Sequence, residues 1–183
     1  MIVEEKELYT LEGRSLYSVL QYEESDIYIL QELYTCWMKL NSKIKKVGGR
    51  NSILPQEFVE ALVSYKLGYW RLGNPRLGFD CFDSKAQVGK NRIGIKYGTN
   101  RTDFSVFSSK QRWDRLNFVI FYNESPTDCF FEIYDMDYEM ISKQLINNGI
   151  TPYNQHSYVS RISVIRQLID QKIYNSKKQF SLF

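Results

Sequence analysis

The sequence predicts a layered α/β or α+β domain, with helical periodicity at both ends and a cluster of short strand-like segments between. Two apolar stripes of helical spacing precede residue 70. Four β-branched or aromatic segments follow, bounded by Gly, Asn, Ser or Pro, and two further helical stripes complete the pattern. The 183 residues suit one domain with its own core.

The first helix is expected from about Asp26, because Leu30, Leu33, Trp37, Leu40 and Ile44 recur at intervals of three and four. It should stop in KIKKVGG, where lysines suit the negative end of the helix dipole and Gly48 or Gly49 can turn left-handed. A second helix is predicted from Pro55 to Leu67, with Phe58, Ala61, Leu62 and Tyr65 inward and Gly68 at its end. Strands are expected over Leu77–Phe82, Arg92–Tyr97, Leu116–Tyr122 and Phe130–Tyr134. Helices are expected from Asp137 to Asn147 and from Ser160 to Ile173, the latter carrying Ile162, Ile165, Ile169 and Ile173 on one face.

No run approaches the roughly 20 apolar residues of a membrane helix, and the acidic start MIVEEKELYT has no signal-peptide pattern. Cys36, Cys81 and Cys129 are isolated, which excludes a zinc knuckle and points to reduced thiols and a cytoplasmic location. The lone histidine, His156, argues against Ser-His-Asp, Cys-His and histidine-metal chemistry and is expected on the surface. Aromatic residues make up 15% of the chain, enough for wetted contact surfaces or an aromatic core periphery.

Charge is segregated. Residues 1–35 carry eight acids against two bases, and residues 85–115 eight bases against two acids. A basic stretch of this kind suits a phosphate-binding surface, although charge runs are also ordinary solvated faces. Arg101, Ser105, Ser108, Ser109, Lys110 and Arg112 are the candidates for contacts to phosphates or base edges. Phe107 and Trp113, in the same stretch, read better as caps on the core.

The stretch GFDCFDSKAQVGKNRIGIKYGT is the most informative. Asp80 falls at the end of one predicted strand and Lys96 on the next. A carboxylate and a lysine facing the same side of a sheet suit metal-assisted phosphodiester hydrolysis. The carboxylate holds a hard cation, the cation polarises the phosphate and acidifies a water, and the lysine positions that water or stabilises phosphorane charge. Alone, the pair is a weak signal and reads more readily as a turn aspartate and a solvated edge lysine.

Four blocks resemble type II restriction endonucleases of the PD-(D/E)XK superfamily, and in particular the small Bsp-type group. They are YTCWMKLNSKIKKVGGR (Tyr34–Arg50), LPQEFVEAL (Leu54–Leu62), GFDCFD…IGIKYGT, and DFSVFSSKQRWDRLNFVIF (Asp103–Phe121). The resemblance implies a nuclease domain over 1–183, with a central mixed sheet flanked by helices. Within it, 1–50 would be a mostly helical N-terminal extension, 54–134 the catalytic core and 135–183 the C-terminal helices. It further implies sequence-specific, Mg2+-dependent cleavage of double-stranded DNA by a homodimer. A cognate DNA methyltransferase would act in the same system without stable binding.

The chain departs from the superfamily motif two residues before the lysine, where a carboxylate is usual and Gly94 stands. The resemblance makes Glu60 the motif glutamate of the preceding helix, and so the substitute metal ligand beside Asp80, with Lys96 completing the catalytic set. Asp83 is the second choice, disfavoured because its odd separation from Asp80 points it to the other side of a regular strand. Two alternatives stay open: a junction resolvase or repair nuclease of the same fold, and a DNA-binding protein that has lost catalysis.

Overall fold

A computed structural model describes residues 1–50, 52–73, 78–99, 105–107, 112–147, 160–162 and 164–183. His156 lies outside the described residues. So do Asp103 and four of the DNA-contact candidates, Arg101, Ser108, Ser109 and Lys110.

The architecture is α/β, built on an eight-stranded mixed sheet. Its strands are β1 (Ile2–Thr10), β2 (Gly13–Gln21), β3 (Trp70–Leu72), β4 (Cys81–Phe82), β5 (Arg92–Thr99), β7 (Arg115–Ser125), β8 (Asp128–Asp137) and β10 (Ser176–Ser181), in that spatial order. All neighbours are antiparallel except β5 and β7, which run parallel with Ile93 opposite Arg115. Strands β6 (Ser105–Phe107) and β9 (Ser160–Ile162) form a separate two-stranded sheet.

Alternation along the central strands covers both faces. Ile93 and Ile95 of β5, Val119 and Phe121 of β7, and Phe131 and Ile133 of β8 pack under two helices, α1 (Ile27–Lys46) and α2 (Gln56–Leu67). Leu116, Phe118 and Ile120 of β7 and Met136 of β8 pack on the opposite side with Trp113, with Ile141 of α3 (Tyr138–Asn147) and with Leu168. A sheet buried on both faces reads as dense apolar strands, as the middle of this sequence does.

Helices α1, α2 and α3 form where their periodicity predicts. Pro55 precedes the first turn of α2, and Gly68 closes it at φ +71°, a left-handed conformation that costs glycine little.

Three expectations need correction. The 1–50 extension is not mostly helical: α1 is preceded by the β1–β2 hairpin, closed by the two-residue turn Leu11–Glu12. Leu8 and Val19 are the only fully buried hairpin residues, so an apolar alternation is missing. The edge strand β1 instead carries charge, including the pairs Glu4–Lys6 and Glu7–Arg14. The Ser160–Ile173 helix is replaced by β9 and a short π-helical turn over Ile165–Ile169, in which Asp170 N–H reaches Ile165 O at 2.8 Å. Of Leu77–Phe82, only Cys81–Phe82 is strand among the described residues.

The last strand is held by more than its ladder. Glu132, buried on β8, accepts hydrogen bonds from Tyr134 Oη (2.6 Å), Tyr122 Oη (2.9 Å) and Gln179 Nε2 (2.7 Å), and pairs with Lys177 Nζ at 2.6 Å. Burial alone would push its carboxyl up. Hydrogen bonds from Lys177, Tyr134, Gln179 and Tyr122 outweigh that and bring it down to about 2. A lowered carboxyl stabilises the fold fully above its unfolded value near 4.5 and loses that contribution as pH falls towards 2. Glu132→Gln should therefore cost about 2–3 kcal/mol at pH 7. In urea titrations the gap to wild type should narrow from pH 4.5 to pH 2; a gap independent of pH would show that the ionised carboxylate contributes nothing.

Candidate active site

Asp80 enters its position through its own backbone. Its N–H donates to Ile93 O of β5 (2.9 Å), and its C=O accepts from Leu72 N–H of β3 (3.0 Å). The residue is thus locked into the ladder just before β4. Its carboxylate Oδ2 accepts from Ile95 N–H at 2.6 Å. The carbonyl of Ile95 accepts from Gln56 Nε2 at 3.0 Å. With both peptide groups of Ile95 fixed, the next residue, Lys96, leaves a constrained backbone.

Asp80, Lys96 and Glu60 line one cleft of about 470 Å³, together with Gln56, Glu57 and Arg71. Glu60 projects from α2, where Gln56 lies one turn before it and Glu57 three residues before it, so one helix face supplies all three. Arg71 of β3 donates from Nε to Glu60 Oε2 at 3.0 Å and reaches Tyr22 Oη at 3.4 Å. The pair is mostly buried, which makes it a fixed support rather than a loose surface contact.

Position 94 has no room for a side chain. A Cβ at Gly94 would stand 2.7 Å from Cδ1 and 2.8 Å from Cγ of Trp113, closer than side-chain atoms approach one another. The indole is buried and meets Tyr138 edge-on at 5.1 Å, so it has no room to retreat. Trp113 is a core residue, as its sequence context suggests.

Asp83 stays outside the cleft and pairs with Arg115 Nη2 at 2.9 Å. Much of the basic stretch is also consumed internally. Arg92 is buried against Asp114 (2.8 Å) and Glu12 (2.9 Å), and Lys90 meets Asp137 at 3.2 Å. Arg112, a DNA-contact candidate, keeps a side chain 63% exposed beside Glu12 at 3.4 Å. Ser105 lies on β6. Gln56, Glu57, Arg71 and Tyr22 are not among the site residues the sequence suggests, although Glu57 falls with Glu60 on the polar face of its helix. For the first two, the one-turn spacing to Glu60 is a usable signal; Arg71 and Tyr22 join only through strand pairing.

Electrostatically the cleft is strained towards the anionic side. Burial, with a further push from the Glu60 charge, lifts the Asp80 carboxyl to about 6, against the hydrogen bond from Ile95 and the positive charges of Lys96 and Arg71. Three carboxylates, those of Asp80, Glu60 and Glu57, line the cleft beside Lys96 and Arg71, and a buried carboxyl held up by desolvation next to a second one fits a hard divalent cation. Such an ion commonly takes one or two protein carboxylates and completes its shell with water and phosphate. Among the described residues no group of three or more His, Cys, Asp or Glu gathers around one point.

The raised Asp80 value carries a stability cost, with the sign opposite to that of Glu132. The penalty is absent below the unfolded value near 3.8, grows as pH rises towards 6, and is complete above it. Asp80→Asn should thus stabilise the protein by about 1–3 kcal/mol at pH 7. Thermal melts of both proteins at pH 4 and pH 7 check this: equal shifts at both, or a loss at pH 7, would remove the anionic strain from the cleft.

A family model described as the Bsp6I restriction endonuclease matches residues 22–171. No curated protein and no solved structure matches the chain. The match runs from the end of β2 through both helices, the cleft and the central strands, covering most of the chain. The chain belongs to the Bsp6I restriction endonuclease family, and with it to the nucleases that cut DNA at specific sequences.

Proposed function

We propose that the protein is a type II restriction endonuclease that cleaves double-stranded DNA with Mg2+, using Asp80 and Glu60 to hold the cation and Lys96 at the nucleophile. The reading is carried by one observation: these three side chains, distant in sequence, line a single cleft in a chain of this family. A cleft of about 470 Å³ has room for a phosphodiester group and not for a duplex, which would lie across its mouth. When bound, a divalent cation would polarise the scissile phosphate and acidify a water. The rest falls to the chain. The Ile95 N–H orients the Asp80 carboxylate through Oδ2 and leaves Oδ1 to face the cation. Arg71 holds Glu60 in the same way through Oε2. The Lys96 ammonium orients the attacking water or takes up phosphorane charge. In the family context, two copies would offer two clefts to a palindromic site, and a methyltransferase of the same specificity would protect host DNA.

Digestion of phage DNA with Mg2+, resolved on a gel, tests the reading: discrete fragments support it, and a preference for branched substrates would make the protein a resolvase instead. Asp80→Ala and Lys96→Ala should each slow cleavage at least about 100-fold with circular dichroism unchanged. Glu60→Gln should slow cleavage and raise the Mg2+ concentration needed for half-maximal rate. Asp83→Asn should keep the rate and lose stability through its Arg115 pair. Near wild-type cleavage by Asp80→Ala or Lys96→Ala would refute the site.

A further inference from the structure

Helix α1 buries Leu30 and Tyr34 on one side and presents a second apolar stripe to solvent about a third of a turn round from it. Ile29, Leu33, Cys36 and Leu40 follow at intervals of four, three and four residues, and Val47 lies seven beyond Leu40. Ile29 is 58% exposed, Leu33 51% and Leu40 50%, and Cys36 is exposed as well. A repeat of this spacing is the seam of a helix that packs against another helix. Isolated exposed leucines are ordinary, whereas an unbroken stripe from Ile29 to Leu40, about 16 Å long before Lys43 interrupts it, marks a contact surface. No described element covers it.

Charge identifies the occupant. The exposed flank beside the stripe carries Glu32 in its first half and Lys39 and Lys43 in its second; Glu23 and Glu24 precede the helix, and Lys45 and Lys46 end it. A parallel copy would set acid against acid and lysine against lysine. An antiparallel copy, related by a two-fold axis close to Cys36, sets Leu33 against the partner's Leu40 and brings Glu32 between the partner's Lys39 and Lys43. In such an isologous pair each contact occurs twice and each flank meets its own reverse. The stripe and its flank are therefore complementary to themselves in one orientation only.

We infer that the outer face of α1 is the surface through which two copies of this chain pair, antiparallel across a two-fold axis near Cys36. The inference rests on the proposed function only for the expectation of a dimer; the face itself is independent of the cleft.

Sedimentation of the full chain over a concentration series, with single and paired substitutions, tests it. Wild type should be a dimer. Leu33→Lys and Leu40→Glu, both at exposed positions, should each weaken dimerisation roughly 100-fold by burying an uncompensated charge twice. The double variant, in which the new ammonium faces the new carboxylate, should recover most of the loss. Mild copper-catalysed oxidation should trap a covalent dimer through Cys36, since Cys81 and Cys129 are buried, and Cys36→Ser should abolish it. A wild type that stays monomeric overturns the inference. So does a dimer indifferent to Leu33→Lys and Leu40→Glu, or a dimer that Cys36 does not cross-link. DNA cleavage by the same samples separates the two readings. A dimer that obeys these rules but cuts nothing keeps the interface and sinks the cleft. A chain that cuts DNA while its dimer ignores both substitutions does the reverse.

Discussion

The indole of Trp113 lies where a side chain at position 94 would have to be, and the arrangement of the cleft is organised around that contact. The backbone of β5 comes so close to the ring that even a methyl group would stand 2.7 Å from it. Moving the ring is costly, because it is part of the core that joins β7, β8 and α3 and is wedged against Tyr138. Position 94 is thus closed to any side chain, and the negative charge that acts on Asp80 comes from another element. It arrives from α2, which lies across the opposite face of the sheet and extends its first turns to the cleft.

A side chain brought from another layer needs its own support. A carboxylate on β5 would be held by the ladder. Glu60 stands on a helix and is held by Arg71 on β3, which in turn contacts Tyr22 just beyond β2. The hairpin and β3 thereby become part of the site's scaffold without lending a catalytic group. Gln56 ties the same helix to the carbonyl of Ile95, so α2 is joined to β3 through Glu60 and to the strand bearing Lys96 through Gln56. The remaining imbalance sits on Asp80, whose carboxyl is lifted to about 6 by burial and by its neighbour's charge. Groups held away from their ordinary ionisation by a fold that could avoid it are concentrated at functional sites.

Legibility followed the range of the forces involved. Helices α1 and α2 and strands β5, β7 and β8 were legible, because burial on a periodic face writes itself into local sequence. Asp80 and Lys96 were legible as neighbours, though Asp80 stands just before β4 rather than on a strand, and Glu60 was legible by resemblance. The hairpin was not: its edge strand meets solvent on most sides, so charge replaced alternation. The segment after Ser160 misled because Ile162, Ile165 and Ile169 have helical spacing, yet pairing with Ser105–Phe107 took its first residues into a strand. Arg71 and Tyr22 could not be found, since nothing in their neighbourhoods records that β2 and β3 would become partners.

The segregation of charge along the chain has a different meaning in the folded protein. The turn between β1 and β2 brings Glu12 from the acidic end onto Arg92 and Arg112 of the basic stretch, so the two halves partly neutralise each other. The two contacts differ in kind. Arg92 is buried and also bound by both oxygens of Asp114, through its guanidinium and through its own N–H. Removing one partner from such a set leaves a buried charge uncompensated, which costs about 3–5 kcal/mol. Arg112 is exposed and its contact with Glu12 is long, a pair of the kind worth at most about 1 kcal/mol. A phosphate therefore competes easily for Arg112 and not for Arg92. The basic stretch divides accordingly into charges that build the protein and charges left on its surface, and only the second kind is free to answer to an anionic partner.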